Sequence, residues 1–452
     1  MGGLRNREVF LWAVAKPLVR DHARTRVAGD FYCIIATAAI DDECFGSEGG
    51  GGKAVRELCA RIACDNNERQ GKRGKQIGHR VGRNGAATIL AHAPRKVSEG
   101  ATHSTSKPAR KPPAACAPAA RLPVRNDARL MQRVLIIRSS SLGDIVHALP
   151  VVHDMRRHRP DLLIDWVAEE PFAALVRLNH GVRRVIPVAL RRWRYRLWSR
   201  ATWREARAFR DELVDERYDA VIDLQEQVKG ALIAWLAHGP VHGPDHASAH
   251  EAGAALFYRH RHRIDARQHL LLRCRQLAGS VLGYEPEGAP QFDLTPPAHN
   301  GAPLVPYVVC LHGTSQDEKL WPEAHWRTLL EHFAHAGINV VLPWGNRAEA
   351  ERSERLAAGL SGVTVPPWRA LPELAALLAQ AELVIGVDTG PTHLAAALGR
   401  PTLALFTATH PRFNGTEPSS TLARDLGGPG AAPEPGAVIA AAERMPGAPP
   451  AS

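Results

Sequence analysis

RVLIIRSSSLGDIVHALP, residues 133–150, decides the fold class. Residues 133–138 form a short, β-branched apolar run of the kind that makes a parallel strand buried on both faces. SSSLGD follows as a loop, and DIVHALPVVHDMRRHRP then reads as one helix. Strand, loop and helix in that order are the opening of a βαβ unit. The pattern continues downstream with strands at 163–168, 184–189 and 219–224 and the helical stretch TWREARAFRDELVDER between the last two. Such alternation implies a parallel sheet with helices on both faces.

A Pro/Gly-rich stretch, PEGAPQFDLTPPAHNGAPLVP (286–306), interrupts the alternation and reads as an inter-domain linker. Alternation restarts with a strand at 307–311 and the helix PEAHWRTLLEHFAHAG, where Gly337 is placed to stop it. INVVLP, VTV, LVIGV (383–387) and TLALF (402–406) read as further strands, with helices from about Arg347 to Leu360, over LPELAALLAQ, from about Pro391, and over GAVIAAAERM. The expected organisation is two successive α/β domains, 131–290 and 303–446, with ligands at the strand C-termini in the cleft between them. Residues 1–130 differ in kind. They are Gly-, Arg-, Ala- and Pro-rich, without a sustained period, and read as a mostly disordered extension. Met131 directly precedes the first strand, so a start assigned upstream of the true one would produce this appearance.

The charge map removes one function class. The chain carries 57 Lys+Arg against 46 Asp+Glu, a net +11 that suggests a nucleic-acid binder. Residues 1–130 hold 23 basic and 12 acidic groups, so the whole surplus lies there and 131–452 is balanced. No nucleic-acid partner is therefore expected. Within the balanced part, 131–275 carries 24 basic and 17 acidic groups and 276–452 carries 10 and 17, which points to differently charged ligands for the two domains. Cys274 and Cys310 lie in apolar stretches and read as buried free thiols. No apolar run approaches 18 residues and no signal-peptide arrangement opens the chain, so no transmembrane segment and a cytoplasmic location are expected.

The candidate sites sit at strand–loop–helix junctions. SSSLGD lacks the G-x-G-x-x-G of a dinucleotide fold, and no P-loop occurs anywhere. What remains is Asp144, either a helix-start carboxylate or a base able to take a proton from an acceptor hydroxyl. HGTSQDEKLWP (312–322) offers Thr314, Ser315 and the compact cation of Lys319, suited to a diphosphate, or else it is a solvated polar loop. GVDTGPTHLAAALGRPT (386–402) is a strand, a turn and a helix whose first amides make an anion site, with Asp388 and Thr389 as capping types and Pro391 suited to the first turn. RRWRYRLWSR (191–200) is a basic-aromatic run, either an exposed face, a nucleic-acid patch or a docking surface for an anionic acceptor. The histidines lack metal-site spacing. HRHR (260–263) has no acidic or Cys partners, and no metal is assigned.

Taken together, these segments, with YDAVIDLQEQVKGALIAWLAHG and LPWG followed by Glu349, resemble the lipopolysaccharide heptosyltransferases of glycosyltransferase family 9 from Met131 to roughly Phe406. The RVIPVALRRWR stretch favours the transferase that adds the first heptose. The resemblance implies a GT-B fold, two Rossmann-like domains with the acceptor on the first and the nucleotide sugar on the second. It implies an inverting transfer of L-glycero-D-manno-heptose from ADP-heptose to the 5-hydroxyl of the first Kdo of Kdo2-lipid A, at the cytoplasmic face of the inner membrane. Matched by position, Asp144 is the base and Lys319 the phosphate-binding lysine. Thr314, Ser315, Asp388, Thr389, Gly390 and His393 are donor-phosphate contacts, and Glu349 binds the ribose. Ser140 and Ser141 form the loop beside the base, and Arg191, Arg192 and Arg194 the basic acceptor run. No cofactor or essential metal is implied. Two departures stand out: His250 where the family carries Arg, which would make acceptor affinity more pH-dependent, and TATHPRFNGTEPSS after Phe406. Two alternatives stay open, a family member adding a later heptose and a non-catalytic nucleotide-sugar binding protein.

Overall fold

The computed structural model describes residues 131–298 and 305–446, and the readings made for 1–130 lie outside them. Each of two sheets has six parallel strands. The first contains β1 (Arg133–Ile137), β2 (Leu163–Glu169), β3 (Arg184–Val188), β4 (Ala220–Asp223), β5 (Val241–Pro244) and β6 (His260–His262), ordered β3-β2-β1-β4-β5-β6. Its main helices are α1 (Leu142–Ala148), α2 (Pro150–His158), α3 (Arg200–Val214), α4 (Val228–Leu236) and α5 (Leu270–Leu282). The second contains β7 (Tyr307–Leu311), β8 (Asn339–Val341), β9 (Val363–Thr364), β10 (Leu383–Val387), β11 (Thr402–Phe406) and β12 (Ala423–Gly427). These are ordered β12-β11-β10-β7-β8-β9 and are covered by α6 (Glu323–His335), α7 (Arg347–Ala357), α8 (Leu371–Gln380), α9 (Gly390–Ala397) and α10 (Pro435–Ala442).

Read from the opposite edge, the second order repeats the first. In each sheet the first and fourth strands lie side by side, and the chain turns in opposite directions from them. Such a switch point opens a crevice at the strand C-termini, where doubly wound sheets hold ligands. The crevices fall between β1 and β4 and between β7 and β10, which places the loops after Ile137, Asp223, Leu311 and Val387 at the two sites. The two-Rossmann reading of the sequence is borne out.

The core explains why the lobes share one body. Val134 and Ile136 point to one face of β1, Leu135 and Ile137 to the other, and all four are fully buried. One apolar cluster runs through both lobes, joining Ile145 and Leu149 on α1 and its C-cap to Leu377 on α8 and Leu394 and Ala395 on α9. The linker also has a seat. Arg275 on α5 pairs with Asp154 on α2 at 2.7 and 2.9 Å and donates to the carbonyls of Glu287 and Gly288, while Asn179 donates to Phe292 O. Residues 286–298 therefore pack on the first lobe.

Some expectations need correction. DIVHALPVVHDMRRHRP forms two helices, because Pro150 has no N–H for a continuing helix and instead opens α2 at its first turn. The strands β5, β6 and β12 were not anticipated: VHGP, HRH and ARDLG are short, and Gly, Pro or charge masks their pattern. Gly337, at φ +68°, ends α6 as expected. Among the described residues no helix is long and apolar enough to cross a membrane.

Candidate active site

Asp144 is the third residue of α1, and its carboxylate accepts from the Ser141 amide at 2.9 Å, closing a capping box. The same oxygen lies 3.2 Å from Nη2 of Arg138, the residue that ends the β1 segment and is 4% exposed. Arg138 also donates from Nη1 to Leu224 O. Burial alone would raise the Asp144 carboxyl. The Arg138 charge, the Ser141 hydrogen bonds and the charge of His393 outweigh it and hold the group below the ordinary carboxylate range. Asp144 is thus ionised at neutral pH and still partly open to solvent, which a proton acceptor requires.

The crevice between β1 and β4 encloses a cavity of about 290 Å³. Asp144, Arg138 and His250 line it, with Glu226 and Arg273 joined in an ion pair. Glu226 holds the left-handed conformation, φ 58°, and its carbonyl accepts from the Glu251 amide at 3.0 Å. Its carboxyl is raised by burial, opposed by Arg273 and Arg138. Gln225 accepts the amides of Ser139 and Ser140 at 2.9 and 3.1 Å, fixing the loop that leads to Asp144. Ser140 therefore acts on this side through its amide, and Ser141 through both its amide and its hydroxyl, which bond Asp144.

The second crevice is organised around Asp388, at the end of β10. Lys319 reaches Asp388 Oδ2 at 3.0 Å, and His393 donates to Oδ1 at 3.1 Å. The Thr409 hydroxyl also donates to Oδ2, and the Thr314 hydroxyl donates to the Asp388 carbonyl at 3.3 Å. Burial opposes ionisation, but His393, Thr409 and Lys319 prevail and keep the carboxyl far below its ordinary value. Thr389 caps α9 in extended backbone without a side-chain cap bond, and the helix begins at Gly390 with Pro391 second. Glu349 accepts the Gly345 amide at 2.7 Å and the Asn346 side chain at 2.9 Å, and lies so close to Gly313 that a Cβ there would meet its carboxylate at 2.5 Å. Ser315 is exposed in the loop between them.

The two crevices meet. α1 and α9 pack against each other at their N-terminal ends, through two glycines. A Cβ on Gly390 would fall 2.6 Å from Leu142 Cβ, and one on Gly143 would fall 3.0 Å from His393 Cδ2. The His393 ring also contacts His147 of α1, ring centroids 4.7 Å apart, and His147 contacts His269 at 5.0 Å. His269 donates to Gly415 O at 3.1 Å, and Phe413 and Asn414 reach the cavity wall beside Gln268 and Leu270. The unusual stretch after Phe406 is accordingly part of the first-lobe cavity.

The structure brings Asp144, Ser141 and His250 to one crevice and Thr314, Lys319, Asp388, Thr389, Gly390 and His393 to the other, with Glu349 beside it. It does not bring Arg191, Arg192 and Arg194 to the cavity wall. Arg191 lies over Phe172, Arg192 pairs with Glu170 and Glu205, and Arg194 stacks on Tyr195. Sequence reasoning passed over Arg138, Gln225 and Arg273. Arg138 carried a signal, a cation closing a buried strand at its carboxyl end. No cluster of His, Cys, Asp or Glu able to hold a metal occurs among the described residues.

The profile of the family described as glycosyltransferase family 9 (heptosyltransferase) matches residues 206–432. Lipopolysaccharide heptosyltransferase 1 of Escherichia coli strain K12 is 44% identical over 287 residues, 63% of this chain and 90% of that one. Its namesake in Pseudomonas aeruginosa is 45% identical over 286 residues, 63% of this chain and 81% of the other. Among solved structures, E. coli heptosyltransferase WaaC with ADP superposes with a TM-score of 0.63 at 41% identity, covering 69% of this chain and 97% of that one.

Proposed function

The chain belongs to glycosyltransferase family 9, the heptosyltransferases, and on that footing we propose that it transfers L-glycero-D-manno-heptose from ADP-heptose to the 5-hydroxyl of the first Kdo of Kdo2-lipid A, in lipopolysaccharide inner-core synthesis. The observation that carries the chemistry is the meeting of an ionised carboxylate, Asp144, with the Lys319–Asp388–His393 group across the α1–α9 contact.

Asp144 takes the proton of the acceptor hydroxyl as its oxygen attacks the anomeric carbon. The bond from that carbon to the diphosphate oxygen breaks, ADP leaves with the electron pair, and the anomeric centre inverts. Negative charge grows on the diphosphate, and stabilisation placed there in advance lowers the barrier. Lys319 and the amide end of α9 supply it. Asp388 is itself an anion and would repel a diphosphate, so its part is to aim Lys319, His393 and Thr409. Thr314, Ser315 and Thr389 offer hydroxyls to the phosphates, and Glu349 offers a carboxylate to ribose hydroxyls. His250, with Arg138 and Arg273 on the same cavity wall, meets the anionic acceptor. Because Lys319 and the helix end provide the positive charge, the reading gives no metal or cofactor a part, and transfer should continue in a chelator. A cytoplasmic enzyme resting on the inner membrane surface accords with a lipid acceptor.

The test is product formation from ADP-heptose with Kdo2-lipid A and, in parallel, with its heptosylated product. Transfer only to the second would make this a later-acting heptosyltransferase. Asp144→Ala with undiminished turnover would return Asp144 to a helix cap.

A further inference from the structure

The run after β3 carries an exposed surface that the transfer chemistry does not use. Eight arginines and one acid, Glu205, occupy residues 191–210. Glu205 is committed to Arg192 at 2.8 Å and to the Trp193 indole at 3.0 Å. Arg196, Arg200, Arg204 and Arg207 are all exposed. Between them stand Tyr195 and Trp198, each 75% exposed, the two most exposed large hydrophobic side chains of the described residues. Aromatic surface at that exposure is available for an apolar contact.

We infer that the Tyr195–Arg207 surface docks the protein on an anionic lipid bilayer. Aromatic rings with a polar edge settle at the headgroup level, and arginines beside them gain from the negative surface potential. A nucleic acid would also meet the charge, but residues 131–452 carry no basic surplus to support one. The placement serves the reaction. Leu190–Trp193, the single turn that starts the run, is held by the Arg191 amide donating to Glu169 at the C-terminal end of β2 at 3.2 Å. It lies on the same rim of the sheet as Asp144, two strands away, or about 10 Å at ordinary strand spacing. A lipid acceptor in the membrane below would present its sugars to the cavity without leaving the bilayer. This inference rests on the proposal that the acceptor is a membrane lipid.

Co-sedimentation of the full chain with vesicles of phosphatidylcholine, alone or with a third phosphatidylglycerol, tests it. Binding should appear on the anionic vesicles and fall with salt. Arg196→Gln and Arg200→Gln should each cost about fivefold in vesicle affinity, and Tyr195→Ser with Trp198→Ser should reduce it further at unchanged thermal midpoint. Transfer to an acceptor stripped of its acyl chains should be unaffected by all four substitutions. Wild-type protein that stays in the supernatant, or variants that bind vesicles as well as wild type, overturns the docking. So does an equal rise of KM for the stripped acceptor, which would assign the surface to sugar recognition. Wild-type protein that sediments but transfers no heptose to either acceptor leaves the docking standing and removes the proposed function.

Discussion

Alanine at position 390 would carry its methyl group into Leu142, 2.6 Å from both Cβ and Cγ and 2.7 Å from Cδ2. Carbon atoms rest at about 3.5–4.0 Å, so α1 and α9 must separate by about 1 Å at their N-terminal ends. Leu142 Cβ and the Gly390 backbone belong to packed helices, so no side-chain rotation relieves the overlap. Overpacking of this kind costs about 1–3 kcal/mol. The larger effect is on reactivity, because those ends hold the proposed base and the proposed leaving-group site, and a misplacement of about 1 Å lowers turnover by about a hundredfold. Gly390→Ala should therefore lose about two orders of magnitude in kcat for heptose transfer while its affinity for ADP, measured by calorimetry, stays within a few-fold. Leu142→Ala in the same chain removes Cγ and Cδ2 but leaves the Cβ overlap, and should restore part of the rate. Wild-type turnover in Gly390→Ala would refute the claim that the lobes react at this contact distance.

Asp144→Asn should lower kcat/KM by about 10²–10⁴-fold, the range for losing a general base, with ADP binding retained; a loss below tenfold would point to a capping role. Lys319→Met removes the cation next to Asp388, and a charge-assisted contact is worth about 1.5–3 kcal/mol, so ADP affinity should fall about 10- to 150-fold, read by calorimetry. The buried Asp223 carboxyl, which accepts from Tyr258 at 2.8 Å, is pushed up to about 7 by burial against its hydrogen bonds. In the unfolded chain it releases its proton near pH 4. Between about pH 4 and 7 the folded state holds the additional proton, so its contribution to stability declines as pH rises and levels off above 7. Asp223→Asn should cancel that slope, and urea midpoints of the two proteins that differ by a constant amount from pH 5 to 8 would contradict it.

Much of this fold is written in local pattern. The buried strands around Val134–Ile137, Val308–Leu311 and Leu383–Val387 announce themselves because both faces are covered and every position is apolar. Edge strands do not. His260–His262 is half in solvent and reads as a histidine run, and Ala423–Gly427 is charged through its middle. The α1–α2 break was readable, since Pro150 has no N–H with which to continue a helix. The site divides the same way. Asp144, Lys319 and the Asp388–Gly390 turn lie at junctions that any βαβ reading marks, and their types suit the chemistry. Arg273 acts through a partner 47 residues away, and Gln225 through amides 86 and 85 residues away along the chain, and no spacing rule exposes such pairs. The approach of Gly143 to His393 and of Gly390 to Leu142 belongs to the packing of two separate sheets, which periodicity cannot report.

On the proposed function, the crossing of Phe413 and Asn414 onto the first-lobe cavity, latched by His269 to Gly415, makes the two substrates answerable to each other. The wall of the chamber proposed for the acceptor is partly made from the lobe proposed to hold the nucleotide. Whatever ADP-heptose does to the pose of that lobe changes the chamber, and the acceptor must return the same free energy to the donor, because linkage between two binding events is reciprocal. On that reading, the factor by which ADP-heptose changes acceptor affinity equals the factor by which the acceptor changes affinity for ADP-heptose.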